Sequence, residues 1–331
     1  MKPHIAIVGA TGLVGSEMLT ILESSEIEVG KLSLLASKNS EGELYRFRDD
    51  QVKVEELSAD RFIGVDVALF ALSNDLAEKY VPIAIEHGAL VIDNSSRFRM
   101  DPKVPLVVPE VNGSLVRVEQ KLFANPNCST AQLVVALKPL HELAGLKRVV
   151  VSTYQSVSGA GKEALDELWA QSLAVFQQKD MPMEVFKHQI AFNLIPQIDA
   201  FLPSGYTKEE MKVINETRKI LGLPNLRITC TAVRVPVFHS HSEAVSVDFE
   251  RKVTKEEIIE ALSKAPGIEV YTDEYPLPID VTGTDPVHVG RIRVDDFGGC
   301  DFWIVADNLR KGAALNVVQI LELWLQRKNV H

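Results

Sequence analysis

The chain has 331 residues, 46% of them apolar and 24% charged, a balance that fits a folded globular protein with room for two domains. Its net charge of −10 argues against a nucleic-acid surface, where a basic stripe is expected. No apolar run reaches membrane-spanning length and the first strand begins near His4, leaving no space for a secretory leader, so the expected location is cytoplasmic.

In chain order, His4 to Gly9 reads as a short apolar strand, Gly12 to Leu22 as a helix, Lys31 to Ala36 as a second strand and Val65 to Leu72 as a further one. Asn74 or Asp75 can cap a helix running to about His87, and Ala89 to Asp93 is another strand. Strands alternating with helices imply a parallel, doubly wound sheet. Ala131 to Gly145 reads as an amphipathic helix with Leu133, Val134, Leu137 and Leu140 on one face. Beyond it the pattern changes. Lys147 to Val157 is rich in Val, Ser and Thr, and Lys162 to Gln178 and Lys208 to Leu221 are helical. Leu226 to Val237 and Ala244 to Phe249 alternate as half-buried antiparallel strands do. Thr254 to Ser263 is a Thr-capped helix, Val287 to Val294 and Asp301 to Ala306 are strands, and Gly312 to Arg327 is a last helix. The expectation is a Rossmann-type α/β nucleotide domain over 1–127, an α+β domain over 128–309, and a terminal helix over 310–331 packing back on the first domain.

Two features carry chemistry. Gly9-Ala10-Thr11-Gly12-Leu13-Val14-Gly15 follows a strand and opens a helix, the context of a dinucleotide loop. In that setting Gly9 permits the tight turn, Gly12 lets a pyrophosphate approach the backbone, and Gly15 allows close packing of helix on sheet. The second strand ends in Ala36-Ser37-Lys38-Asn39-Ser40, with no carboxylate before Glu41. Hydroxyls and a lysine suit a 2′-phosphate, which favours NADP over NAD. The other feature is Cys128 in Asn125-Pro126-Asn127-Cys128-Ser129-Thr130, at the first turn of a helix. Partly unpaired N–H groups and the helix dipole favour a thiolate there. Cys128, Cys230 and Cys300 are too far apart to suggest a disulfide framework or a zinc site, and no metal is expected. A nucleophilic sulfur with a nicotinamide points to reduction or oxidation of an acyl group held as a thioester.

The glycine loop, Val91-Ile92-Asp93-Asn94-Ser95-Ser96-Arg97-Phe98-Arg99, the segment around Cys128, Tyr154 to Gly161, Arg234 to Val237 with His241-Ser242-Glu243, and Ala306 to Gly312 together resemble aspartate-β-semialdehyde dehydrogenase from end to end. The resemblance implies a fold like that of glyceraldehyde-3-phosphate dehydrogenase and a homodimer or homotetramer. It also implies NADPH-dependent reduction of L-aspartyl-4-phosphate, on the path to lysine (through diaminopimelate), methionine, threonine and isoleucine. By residue, it implies Cys128 as nucleophile, His241 as acid–base group and Gln155 as the group orienting the acyl intermediate. Arg234 is implied for the α-carboxylate, Glu209 for the amino group, and Lys212 and Arg99 for the phosphate. By chemistry alone His239 competes with His241, and Arg97 lies on the same loop as Arg99. Arg234 and His241 are an odd number of residues apart, so a bend around Pro236 to Ser240 must bring both into one site. Ser240 stands where the family usually has glycine.

Asn127 can donate to the phosphate or the developing oxyanion. Ser158, Gly159 and Gly161 form a segment small enough for a nicotinamide, and the resemblance implies that Asn308 completes the cofactor pocket. Thr11, Gly12, Leu13, Val14, Ser37, Lys38 and Ser40 are the remaining expected cofactor contacts. N-acetyl-γ-glutamyl-phosphate reductase is the nearest alternative, but it usually carries Gly-Cys-Tyr around its thiol. A thiol hydrolase would not need the glycine loop. A silent paralogue should have lost at least one of Cys128, Gln155, Arg234 and His241, and all four are present.

Overall fold

The computed structural model describes residues 2–330. The expected domain start at residue 1 and helix end at residue 331 lie outside the described residues. The chain forms two compact units: one runs to Pro126 and takes up the chain again from Ala313, the other is Asn127–Gly312.

The first unit is built on a seven-stranded sheet: β1 (His4–Val8), β2 (Lys31–Ala36), β3 (Leu44–Phe47), β4 (Asp50–Glu56), β5 (Val67–Phe70), β6 (Leu90–Asp93) and β7 (Leu122–Ala124), in the order β3-β4-β2-β1-β5-β6-β7. Helix α1 (Leu13–Ser24) follows β1, α2 (Asn74–Glu86) follows β5, and α3 (Pro109–Asn112) is a single turn. β1 pairs in parallel with β2 on one side and β5 on the other, so chain order reverses direction at β1. Ligands of doubly wound sheets bind at that switch point, and the glycine loop follows β1 directly. β1, β5 and β6 are buried on both faces, as the strands of a covered parallel sheet must be. Met18, Leu19 and Leu22 of α1 share one core with Val317, Val318, Ile320, Leu321 and Trp324 of the C-terminal helix (Leu315–Val330). Each fully buried side chain of this size stabilises by about 1.5–3 kcal/mol.

Four strands escape the sequence pattern. Leu44–Phe47 and Asp50–Glu56 form an antiparallel edge hairpin of largely polar residues, while Leu122–Ala124 and Ile268–Val270 are only three residues long.

The second unit opens with α4 (Cys128–Ala144) and holds a six-stranded mixed sheet of β8 (Leu146–Gln155), β9 (Arg227–Arg234), β10 (His241–Phe249), β11 (Ile268–Val270), β12 (Val287–Val294) and β13 (Cys300–Ala306). Its order is β11-β12-β13-β10-β8-β9. Helices α5 (Lys162–Gln177), α6 (Lys208–Leu221), α7 (Lys255–Lys264) and the turn α8 (Pro278–Val281) complete it. α4 crosses β8, β10, β12 and β13, with α6 and α7 packed beside it. Residues 129–137 of α4 are all buried, so the expected amphipathic stripe is instead a central helix, buried all round over this stretch. Gly145, at φ +68, ends it. The expected antiparallel strand Leu226–Val237 is also corrected: β9 stops at Arg234 and runs parallel to β8. Among the described residues no helix is long and apolar enough to cross a membrane.

Candidate active site

In the first unit Gly9 lies at φ +92, and a Cβ there would sit 2.4 Å from the Ala71 carbonyl oxygen. At Gly15 a Cβ would fall 2.1 Å from the oxygen of Gly9, so both positions admit only glycine. Gly12 is different: it is exposed and caps α1 without a side-chain hydrogen bond. That leaves the first-turn N–H groups of α1 facing outward beside a surface with no side chain, a cradle that fits a pyrophosphate. Ser40 Oγ donates to Thr11 Oγ1 at 3.3 Å, tying the turn after β2 to the glycine loop. Ser37 and Lys38 are exposed on that turn, and Leu13 and Val14 are half-buried at the start of α1. Arg99 is buried in this unit and donates to the Asn94 carbonyl at 2.8 Å, whereas Arg97 is exposed and paired with Glu78 at 2.7 Å.

In the second unit the thiol stands at the first residue of α4, half-exposed. Asn127 caps this helix: its Oδ1 accepts from the N–H groups of Ser129 at 3.0 Å and Thr130 at 3.2 Å. The unpaired donors expected to favour the thiolate are thus taken up by the cap, leaving the dipole itself. Two carboxylates from α6 hold the cap in turn. Glu216 accepts from the Asn127 N–H at 2.6 Å and Glu209 accepts from its Nδ2 at 2.7 Å. Glu209 also accepts from Gln155 Nε2 at 3.3 Å and pairs with Lys212 at 3.2 Å. Burial works against the Lys212 charge, but Glu209 and Asp199 outweigh it and hold its pKa up. α6 itself begins with a capping box between Thr207 and Glu210, which fixes where Glu209 and Lys212 emerge.

Register explains why Gln155, Arg234 and His241 meet. Gln155 ends β8 opposite Arg234, which ends β9, and His241 opens β10 on the other side of β8. The two residues thus lie on separate strands with β8 between them, and the expected bend is a complete crossing from one edge of β8 to the other. Along this buried face the next row is Ala232, Thr153 and Glu243, and the next is Cys230, Val151 and Val245. Polarity therefore falls along the strands away from the site. Burial pushes the Glu243 carboxyl well above its usual range, which favours its neutral form, and burial likewise raises the Cys230 thiol, which disfavours its thiolate.

His241 is fully buried and its Nδ1 accepts the Ser156 N–H at 3.1 Å. Burial, reinforced by Arg234, lowers its pKa to about 3. In the neutral ring the proton therefore sits on Nε2, which has no hydrogen-bond partner among the described residues. Asn308 is the hub beneath this ring. Its Oδ1 accepts from Ser240 N at 2.9 Å, Ser158 Oγ at 3.1 Å and Ser156 Oγ at 3.2 Å. Ser240 adopts φ +68, a left-handed conformation that costs a non-glycine residue about 1–2 kcal/mol, which explains why glycine suits this position. His239 is half-buried, before the turn.

Gly159 explains itself here. A Cβ would lie 3.1 Å from Arg234 Nη1 and 3.2 Å from His241 Nε2, so this glycine packs on both side chains. Gly161, at φ +100, caps α5. Three residues lie within the sequence motifs but carry no role there: Ser129, whose Oγ accepts from Gln155 at 2.6 Å; Ser156, whose N–H holds the His241 ring; and Gly312, where a Cβ would be 2.9 Å from that of Cys128. Only the short run Lys311-Gly312 hinted at the last. Among the described residues no group of His, Cys, Asp and Glu is arranged to hold a metal ion.

These features define a dehydrogenase with a dinucleotide unit and a thiol-bearing unit, and the comparisons agree. The chain matches the model for the semialdehyde dehydrogenase NAD binding domain over residues 4–118 and that for the semialdehyde dehydrogenase dimerisation domain over 137–311. The aspartate-semialdehyde dehydrogenase of Aquifex aeolicus is 50% identical over 98% of this chain and 99% of its own. That of Bacillus subtilis is 47% identical, with 96% of each chain covered. The crystal structure of aspartate semialdehyde dehydrogenase II from Vibrio cholerae, complexed with ASA, superposes with a TM-score of 0.96 at 45% identity, covering 98% of this chain and 99% of that one. The enzyme from Candida albicans with NADP, at 25% identity, gives 0.78 over 100% of both chains. The chain belongs to the aspartate-semialdehyde dehydrogenase family.

Proposed function

We propose that this chain reduces L-aspartyl-4-phosphate to L-aspartate 4-semialdehyde and phosphate through a thioester on Cys128, with NADPH as reductant. The observation that carries the reading is the row Gln155, Arg234 and His241, buried at neighbouring strand ends and joined through Glu209 to the cap of the thiol-bearing helix. The Cys128 thiolate attacks the acyl carbon, the bond to the phosphate oxygen breaks, and phosphate leaves with a proton. The nicotinamide, when bound, supplies the hydride that reduces the thioester carbon. Collapse of the resulting adduct returns the electron pair to sulfur and releases the aldehyde.

Arg234 binds the α-carboxylate through its guanidinium fork, and its Nη1 is aimed by a 2.6 Å hydrogen bond to the Ser156 carbonyl. Glu209 receives the substrate ammonium, while Lys212 and Arg99 take the phosphate. Gln155 orients the acyl group from the anchored strand end. His241 presents Nε2 to the reacting oxygen and handles the proton there; the Ser156 N–H on Nδ1 keeps the ring in that tautomer. Asn127 keeps one amide hydrogen beyond its bond to Glu209 for the developing oxyanion. Lys38, Ser37 and Ser40 favour NADP, and the enzyme with NADP from Candida albicans supports the same choice. We place the protein in the cytoplasm, in the synthesis of lysine, methionine and threonine, as a homodimer assembled through its second unit. That unit's match to a dimerisation domain supports the assembly.

The test is phosphate-dependent reduction of NADP by aspartate semialdehyde, followed by nicotinamide absorbance. Cys128→Ser should lower kcat/KM by about a thousandfold or more. Full activity in that variant would overturn the mechanism.

A further inference from the structure

Lys212 is held by two carboxylates at once, Asp199 Oδ2 at 3.1 Å and Glu209 Oε2 at 3.2 Å. An arriving phosphate would meet one cation already shared between two anions, so it competes with both carboxylates for the charge and the donors of the ammonium. Glu209 is not the one to leave. It sits on the capped helix α6, its side chain is 8% exposed, and its other oxygen is bound by Asn127 and Gln155.

Asp199 has the opposite character. It lies between β8 and β9 in sequence, outside regular structure, with 36% of its side chain exposed. Its Oδ1 accepts only from the adjacent Ala200 N–H, at 2.7 Å. Its backbone is left-handed at φ +65, a conformation that aspartate and asparagine adopt more readily than other side chains. It lines a cleft of about 370 Å³ together with Arg234, Gln197, Lys187 and His188.

We propose that Asp199 is a built-in competitor for the phosphate, occupying Lys212 in the empty site and yielding it to the phosphoryl group of the substrate. The inference rests on Lys212 being a phosphate ligand. Asp199 thereby keeps a half-buried cation paired between turnovers and weakens retention of the phosphate product. It acts through Lys212 and is a positioning residue.

The test is Asp199→Asn in the full chain. Asparagine keeps the left-handed backbone and the acceptor for Ala200, and removes only the charge. The KM for inorganic phosphate in the oxidative direction should fall about three- to tenfold, as expected for losing one partly screened charge pair. Product inhibition by phosphate in the reductive direction should strengthen by the same factor, and the KM for aspartate semialdehyde should not move. Asp199→Gly, which the positive φ also admits, should give the same gain. An unchanged or raised phosphate KM in both variants would refute the proposal. A raised semialdehyde KM with unchanged phosphate KM would refute it too, by placing Asp199 on the substrate ammonium. Lys212→Met measured alongside separates the two levels. If it leaves the phosphate KM unchanged, the reading of Lys212 fails and takes the proposal with it. If it raises that KM while the Asp199 variants give no gain, only the role of Asp199 fails.

Discussion

The two units build their sites from different materials. In the first, the candidate nucleotide cradle is made of backbone: Gly9 and Gly15 keep the turn tight and Gly12 leaves the start of α1 open. In the second, every candidate part except the half-exposed thiol, Asp199 and the partly exposed Lys212 is a buried side chain held by a hydrogen bond: Glu209 by Asn127, Gln155 by Ser129, His241 by the Ser156 N–H and Arg234 by the Ser156 carbonyl. A backbone site loses function through shape alone, whereas a site of interlocked polar groups loses function whenever one donor or acceptor is misplaced.

Four substitutions would sharpen or break that contrast. Arg234→Lys should have the largest effect, about a hundredfold in kcat/KM for aspartate semialdehyde, because a point charge cannot reproduce the fork. Steady-state kinetics with a normal melting temperature would locate the loss in the site. Gly159→Ala should cost about ten- to thirtyfold in kcat, since the added methyl displaces the Arg234 and His241 side chains by a few tenths of an ångström. If its kinetics are those of the parent, the interlocked description is too strict. In the first unit Lys38→Ala should raise the KM for NADPH about tenfold and leave that for NADH unchanged. Equal changes would show that Lys38 does not read the 2′-phosphate.

Glu243→Gln should have the smallest effect, and it concerns stability. The folded pKa of Glu243 is raised above its unfolded value, so its neutral form favours folding fully below the unfolded pKa of 4.5 and progressively less as pH rises. Glutamine keeps the shape without a group to ionise, so thermal melts at pH 8 should show a gain in stability that shrinks towards pH 4. A variant less stable than the parent at pH 8 would mean that the carboxyl makes a bond glutamine cannot. His241 acts in the opposite sense. With its folded pKa lowered to about 3, stability is complete above the unfolded value and falls as pH drops from about 6.5 towards 3.

The same contrast governs how far the sequence could be read. The first unit was legible in its central strands because β1, β5 and β6 are short runs of apolar residues between helices, and Gly9 to Gly15 announces its own turn. Its edge hairpin was not, because Leu44–Phe47 and Asp50–Glu56 carry charges on exposed faces and lack strict alternation. In the second unit, alternation marked β9 and β10 as strands but could not reveal that β8 lies between them, since strand order is a non-local property. The gathering of Gln155, Arg234 and His241 into one row depends on that order. So does the place of Gly159, which composition suggests is only a flexible turn. Asp199 gave no signal at all, because a left-handed aspartate opposite a lysine on another element leaves no pattern along the chain.

Gly159 also bears on how such a protein can fail. One base change converts a glycine codon to an alanine codon, altering no charge and leaving the fold intact. At this position that change pushes on both the arginine and the histidine it touches, so the mildest of coding errors falls on two side chains of the site at once.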